Sequence, residues 1–186
     1  STVKQYERSV DFTSGEVIVN WEDNNGVFTR KLFVSRPDNL VVLKFSSDEG
    51  ASINTTLSLS KIIRHDVGRI EKFNLDDNFC IKKVESGTMD NGLYFKAWYE
   101  RPWEFESRKS FKGYEGVVQV LRSDGKIEMD SDRLILRDAT DVLIVARIEP
   151  SDNMEESRVL EMSNALKSYD GTYDELLAVH KKIHKE

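Results

Sequence analysis

The sequence predicts a mainly β protein: an antiparallel sandwich over residues 1–150, followed by a helical segment over 151–186. Three observations carry this. Ile53, Thr55, Leu57 and Leu59 alternate with Asn54, Thr56, Ser58 and Ser60, a period-2 pattern with one buried face. Turn-forming Asn, Asp and Gly recur between short apolar runs. After Pro150 the apolar spacing changes from two to that of a helix.

The elements follow in order. Residues 17–21 and 27–34 flank Asp23-Asn24-Asn25-Gly26, and Asn-Gly accepts the positive φ angles of a tight hairpin turn. A strand ends at Ser35, Pro37 enforces an extended turn, and the chain returns from Asn39 to Phe45 as a buried strand. Residues 61–78, with Arg64, His65, Asp66 and Asp77, are strongly polar and read as a long loop. A strand is expected at 79–85. Asp90-Asn91-Gly92 then turns the chain into Leu93-Tyr94-Phe95, and Ser123-Asp124-Gly125 joins 116–122 to 126–129. Strands at 133–136 and 141–149 bring the total to about eleven, the arithmetic of a sandwich.

A helix is expected over 155–168, with Val159, Leu160, Ala165 and Leu166, and Asp170-Gly171 stops it. Thr172-Tyr173-Asp174-Glu175 is a capping box for a last helix carrying Leu176, Leu177, Val179, His180 and Ile183. That helix meets no stop signal before Glu186 and is expected to continue. Its apolar stripe either packs back on the sheet or faces a domain outside this chain.

Composition narrows function. In 186 residues, 27 Lys and Arg stand against 33 Asp and Glu, a net charge of −6, which argues against a nucleic-acid partner. No apolar run approaches the roughly 20 residues needed to cross a bilayer, so no membrane partner is expected. Cys80 is the single cysteine, which excludes an internal disulfide and a Cys-based zinc cluster. A start at Ser1-Thr2-Val3 suggests a processed or excised chain.

Signatures of chemistry are mostly missing. The sequence has no glycine-rich phosphate loop, Ser nucleophile elbow or His-Glu-x-x-His helix. His180 and His184 lie four apart, but two nitrogens make an incomplete zinc site, and no metal or other cofactor is expected. Glu104 and Glu106 would share a strand face, yet with 33 acids a close pair arises by chance. The aromatics are more informative: Trp98, Tyr99, Trp103 and Phe105 surround Glu100, Arg101 and Pro102. Trp98 and Trp103 could stack on the apolar face of a sugar, or serve as sandwich core.

Tyr6-Glu7-Arg8-Ser9-Val10-Asp11 and the run from Arg30 through Phe33-Val34-Ser35-Arg36-Pro37-Asp38 to Val42 resemble the N-terminal β domain of glycoside hydrolase family 95. That is the α-L-fucosidase family. Looser matches follow at Gly92-Leu93-Tyr94-Phe95, Asp138-Ala139-Thr140-Asp141-Val142 and Tyr173-Asp174-Glu175-Leu176-Leu177. Lys31, where the family favours Glu, and Val10 for Leu are departures.

The resemblance implies a large two-sheet β super-sandwich followed by two C-terminal α-helices. These would lead toward an (α/α)₆ catalytic barrel in the parent chain, with oligosaccharide as a further partner. On that reading the domain is an accessory support, carries no catalytic residue and hydrolyses nothing by itself. The setting would be periplasmic or extracellular. Two alternatives are a stand-alone carbohydrate-binding module and the N-terminal domain of a family 65 sugar phosphorylase.

Overall fold

The computed structural model describes residues 2–59, 81–99 and 111–184. Eleven strands follow in chain order: β1 (Gln5–Asp11), β2 (Glu16–Asp23), β3 (Gly26–Ser35), β4 (Leu40–Ser47), β5 (Ile53–Ser58), β6 (Ile81–Met89), β7 (Gly92–Tyr99), β8 (Gly113–Ser123), β9 (Lys126–Asp130), β10 (Arg133–Ala139) and β11 (Asp141–Ser151). Helices α1 (Val159–Lys167) and α2 (Tyr173–His184) close the chain. The protein is mainly β with two sheets and two C-terminal helices, as the sequence predicts.

An eight-stranded sheet runs β1-β2-β3-β4-β11-β8-β7-β6, and a three-stranded sheet runs β5-β10-β9. Every pairing is antiparallel. The sandwich is therefore lopsided, with the small sheet covering part of one face of the large one. On that face Phe28, Leu93, Val120, Val142 and Ile144 meet Ile53, Leu134 and Leu136. On the other face Phe33, Leu40, Val42, Val117, Leu143 and Val145 meet Met162 and Leu166 of α1 and Tyr173, Leu176 and Leu177 of α2.

Strand β11 shows why this works. Val142, Leu143, Ile144 and Val145 are all at most 3% exposed. Side chains alternate along a strand, so two enter each core, and an unbroken apolar run marks a strand covered on both faces. Each such side chain contributes roughly 1.5–3 kcal/mol on burial.

The turns follow local chemistry. Asp90 and Asn91 take φ of 40° and 61° between the paired Met89 and Gly92, the two-residue hairpin suited to such residues. Gly26 has φ of 135°, and a Cβ there would lie 2.4 Å from that of Ala51, so glycine is required twice over. At 123–125 the turn does more than join two strands. The Asp124 carboxylate accepts from the backbone N–H of Thr140 at 2.8 Å and of Asp141 at 3.0 Å, and the chain crosses from the large sheet to the small one.

Helix α1 begins at Val159, four residues later than the expected 155. The reason is a carboxylate. Glu115 accepts from Ser157 Oγ at 2.7 Å and from the Arg158 backbone N–H at 2.9 Å, tying the approach to the helix to β8 outside helical geometry, with Arg158 at φ −96° and ψ 6°. In α2 the capping box forms as read: the Glu175 N–H reaches Thr172 Oγ1 at 3.3 Å, and the Thr172 N–H reaches Glu175 Oε2 at 2.7 Å. The apolar stripe divides. Leu176, Leu177 and His180 are buried on the sheet, whereas Val179 and Ile183 are 44% and 42% exposed.

Candidate functional site

Two places were singled out by sequence, the aromatic cluster and the last helix. Of the aromatic cluster, Trp98 is described. It lies near the end of β7, half-buried, on the helix-side face shared with Tyr94. It is paired with Lys83 on β6 and Gly113 on β8. Lys83 Nζ stands 4.6 Å from the indole centroid, a cation over one ring face. Lys83 and Lys96 both pair with Glu85 on the same strand pair, at 3.3 and 3.8 Å. Trp103, Glu104, Glu106, Phe105, His65 and Cys80 lie outside the described residues, as does the strand expected to begin at 79 for its first two positions.

The seam between α2 and the sheet gathers polar groups from far apart in sequence. Tyr173 donates its phenolic proton to Glu16 Oε1 at 2.8 Å, and both residues are buried. Burial, reinforced by that bond to a carboxylate, raises the phenol well above its ordinary range. A phenol held this way keeps its proton and has no acid–base use near neutral pH. Phe33 meets the Tyr173 ring edge-on, with centroids 5.2 Å apart. Beside it Ser35 Oγ donates to Asp38 Oδ2 at 2.6 Å.

A cleft of about 420 Å³ opens at the start of α1, lined by Pro150, Asp152, Asn153, Glu156 and Arg158 among others. Its chemistry is spent internally: Arg158 pairs with Glu149 at 2.6 Å and with Glu161 at 3.4 Å. The guanidinium is raised accordingly, chiefly by the Glu149 charge. Among the described residues no group of three metal-ligating side chains occurs. His180 and His184 do meet, with ring centroids 5.1 Å apart, but a third ligand does not join them.

The buried carboxylates Glu16 and Glu115 escaped the sequence reading. A signal existed for the second: Glu115 and Gln119 share a strand face with Val117 in an otherwise apolar run, and a polar residue there needs a dedicated partner.

The model of glycosyl hydrolase family 65, N-terminal domain, matches residues 1–155. The chain belongs to this family. The expectation of a family 95 fucosidase domain is thereby corrected. Its most specific segment, Phe33 to Val42, explains the error: Phe33, Leu40 and Val42 are core residues under the helices, so the motif reports packing that a related sandwich also needs. It does not report the chemistry downstream.

Among solved structures, one assigned as a kojibiose phosphorylase from the human microbiome matches this family 65 domain over 98% of the chain, with 13% identity and a TM-score of 0.56. The chain spans 25% of that protein's length. A family 92 α-mannosidase from Bacteroides thetaiotaomicron, solved with mannoimidazole, matches 92% of the chain and 21% of its own at 8% identity and a TM-score of 0.34. No curated protein matches the chain.

Proposed function

We propose that this chain is the N-terminal support domain of a larger family 65 sugar phosphorylase, with catalysis carried by a helical domain of the parent protein. The observation that carries this reading is the family match over residues 1–155, in a chain a quarter as long as its phosphorylase neighbour. The described residues are consistent with support. Two of their three buried carboxylates, Glu16 and Glu115, are each engaged in holding a helix to the large sheet. The outward residues Leu160, Val179 and Ile183 are 65%, 44% and 42% exposed and supply apolar surface for the catalytic partner.

Trp98 is the described aromatic this reading leaves for an oligosaccharide. Its half-exposed ring sits beside Lys83, Glu85 and Lys96, which could bind hydroxyl groups.

The test is phosphate-dependent breakdown of kojibiose. The isolated 186-residue chain should consume no phosphate at high protein concentration, whereas the full-length parent protein should release a sugar phosphate. Turnover proportional to the amount of isolated chain would overturn the support role. A parent protein that cleaves sugars equally well without phosphate would overturn the phosphorylase assignment.

A further inference from the structure

The C-terminal half of α2 is held down by two imidazoles. His180 is 3% exposed, and its ring stacks on Phe33 with centroids 5.3 Å apart and planes at 27°. The His184 ring lies 5.1 Å away. Both close over Gly15 in the β1–β2 turn. A Cβ there would meet His184 Cε1 at 3.3 Å and His180 Nε2 at 3.4 Å, and Gly15 takes φ of 64°. The turn is thus shaped to receive the two rings.

Their protonation is constrained. His184 Nε2 lies 3.1 Å from the Phe12 carbonyl, which can only accept, so that nitrogen carries a proton. His180 Nδ1 is buried with no hydrogen-bond partner among the described residues. A neutral imidazole tolerates this position. An imidazolium would bury a charge together with a donor that finds no acceptor.

The surrounding charges offer little relief. Asp11 and Glu16 flank the β1–β2 turn, but Asp11 accepts from Thr13 and Ser14, and Glu16 accepts from Tyr173. From the β3–β4 connection come Arg36 and Asp38, the latter accepting from Ser35. On α2 itself stand Lys181 and His184. Burial, then the His184 charge, hold His180 below the ordinary histidine range, with Arg36 adding to this and the Ser14 backbone and Asp38 opposing it.

We propose that His180 and His184 form a proton-operated latch, which keeps the last two turns of α2 on the β1–β2 turn while His180 is neutral and releases them on acidification. A docked His180 that binds its proton less readily than a free one gives a definite sign. Docking is complete above about pH 6.5, the free histidine value. Below it, docking weakens by up to tenfold per pH unit until the docked group itself titrates.

Amide hydrogen exchange on the 186-residue chain reads this directly. The protection factor, which divides out the intrinsic pH dependence of exchange, should fall for Val179–His184 between pH 7.5 and pH 5 by several-fold more than for α1. His180→Phe, which keeps an aromatic ring against Phe33 and cannot charge, should abolish the difference. Should that variant not fold, the ring resonances of the wild-type chain decide. His180 should titrate below the ordinary histidine value, with the loss of protection falling between that value and its midpoint. Unchanged protection in the wild type, the same loss in His180→Phe, or a His180 midpoint at or above the ordinary histidine value would each overturn the latch.

Discussion

Tyr173, the first residue of α2, donates a 2.8 Å hydrogen bond to Glu16, the first residue of β2, across 157 positions of sequence. Both groups are buried, at 3% and 7% exposure. Removing the donor therefore strands a carboxylate. Tyr173→Phe should cost about 1–3 kcal/mol, and each kcal/mol moves the melting temperature by about 2–4 °C in a domain of this size. Glu16→Gln keeps an acceptor and should cost less. Urea midpoints measure both, and equal midpoints for wild type and Tyr173→Phe would show that the bond contributes nothing.

Glu115 does the same for α1. It is 1% exposed and satisfies two donors at 157 and 158. Glu115→Ala leaves both without that acceptor and opens space beneath the helix, an expected loss of about 2–4 kcal/mol. Circular dichroism melts should show the drop. Glu115→Gln, which retains one acceptor oxygen, should recover part of it.

Asp124 predicts an acid dependence. Hydrogen bonds from the Thr140 side chain and the Asp141 backbone hold its carboxyl at about 2. A depressed folded value means that its contribution is present above about pH 3.8, the ordinary aspartate value, and is lost as the pH falls toward 2. The stability gap between wild type and Asp124→Ala should accordingly be constant from pH 7 to pH 5 and close between pH 4 and pH 2. A gap that persists at pH 2 would assign the effect to packing.

The two sides of the helices should respond oppositely. Leu166 is fully buried, and Leu166→Ala should cost about 2–5 kcal/mol. Val179→Ser with Ile183→Ser, on the exposed side, should change the stability of this chain by no more than about 0.5 kcal/mol per site. The pair should instead weaken association with the separately expressed remainder of the parent protein. Titration calorimetry would detect this, and undiminished binding would place the contact elsewhere.

For Trp98, titrating oligosaccharide against tryptophan fluorescence should give a saturable change that Trp98→Ala removes. A response of the same size in the variant would leave the indole as the seat of Lys83 alone.

What was legible in the sequence is what is written within a few residues. The Thr172–Glu175 capping box spans three positions and forms as read. The Asp90-Asn91 turn depends on two residues that accept positive φ. The strand alternation at Ile53–Ser58 and the strand expected at 141–149 follow from the fixed geometry of a strand, while the burial of Val142–Val145 on both faces came from the structure. β1 was not read as a strand, since all seven of its residues are exposed and it is itself the edge of the large sheet, so no buried face marks it.

The sequence by itself therefore determined the fold class, the main turns and the two helices, because backbone geometry and capping act at fixed short spacing. Only the tertiary structure decided that β11 lies between β4 and β8, that β9 pairs with β10, that Glu16 finds its donor on α2, and that Glu115 finds its donors just ahead of α1. Those choices rest on complementarity between surfaces distant in the chain, which no local spacing encodes. The same physics explains the corrected family: residues that fill a core are shared by related sandwiches, whatever reaction their parent enzymes perform.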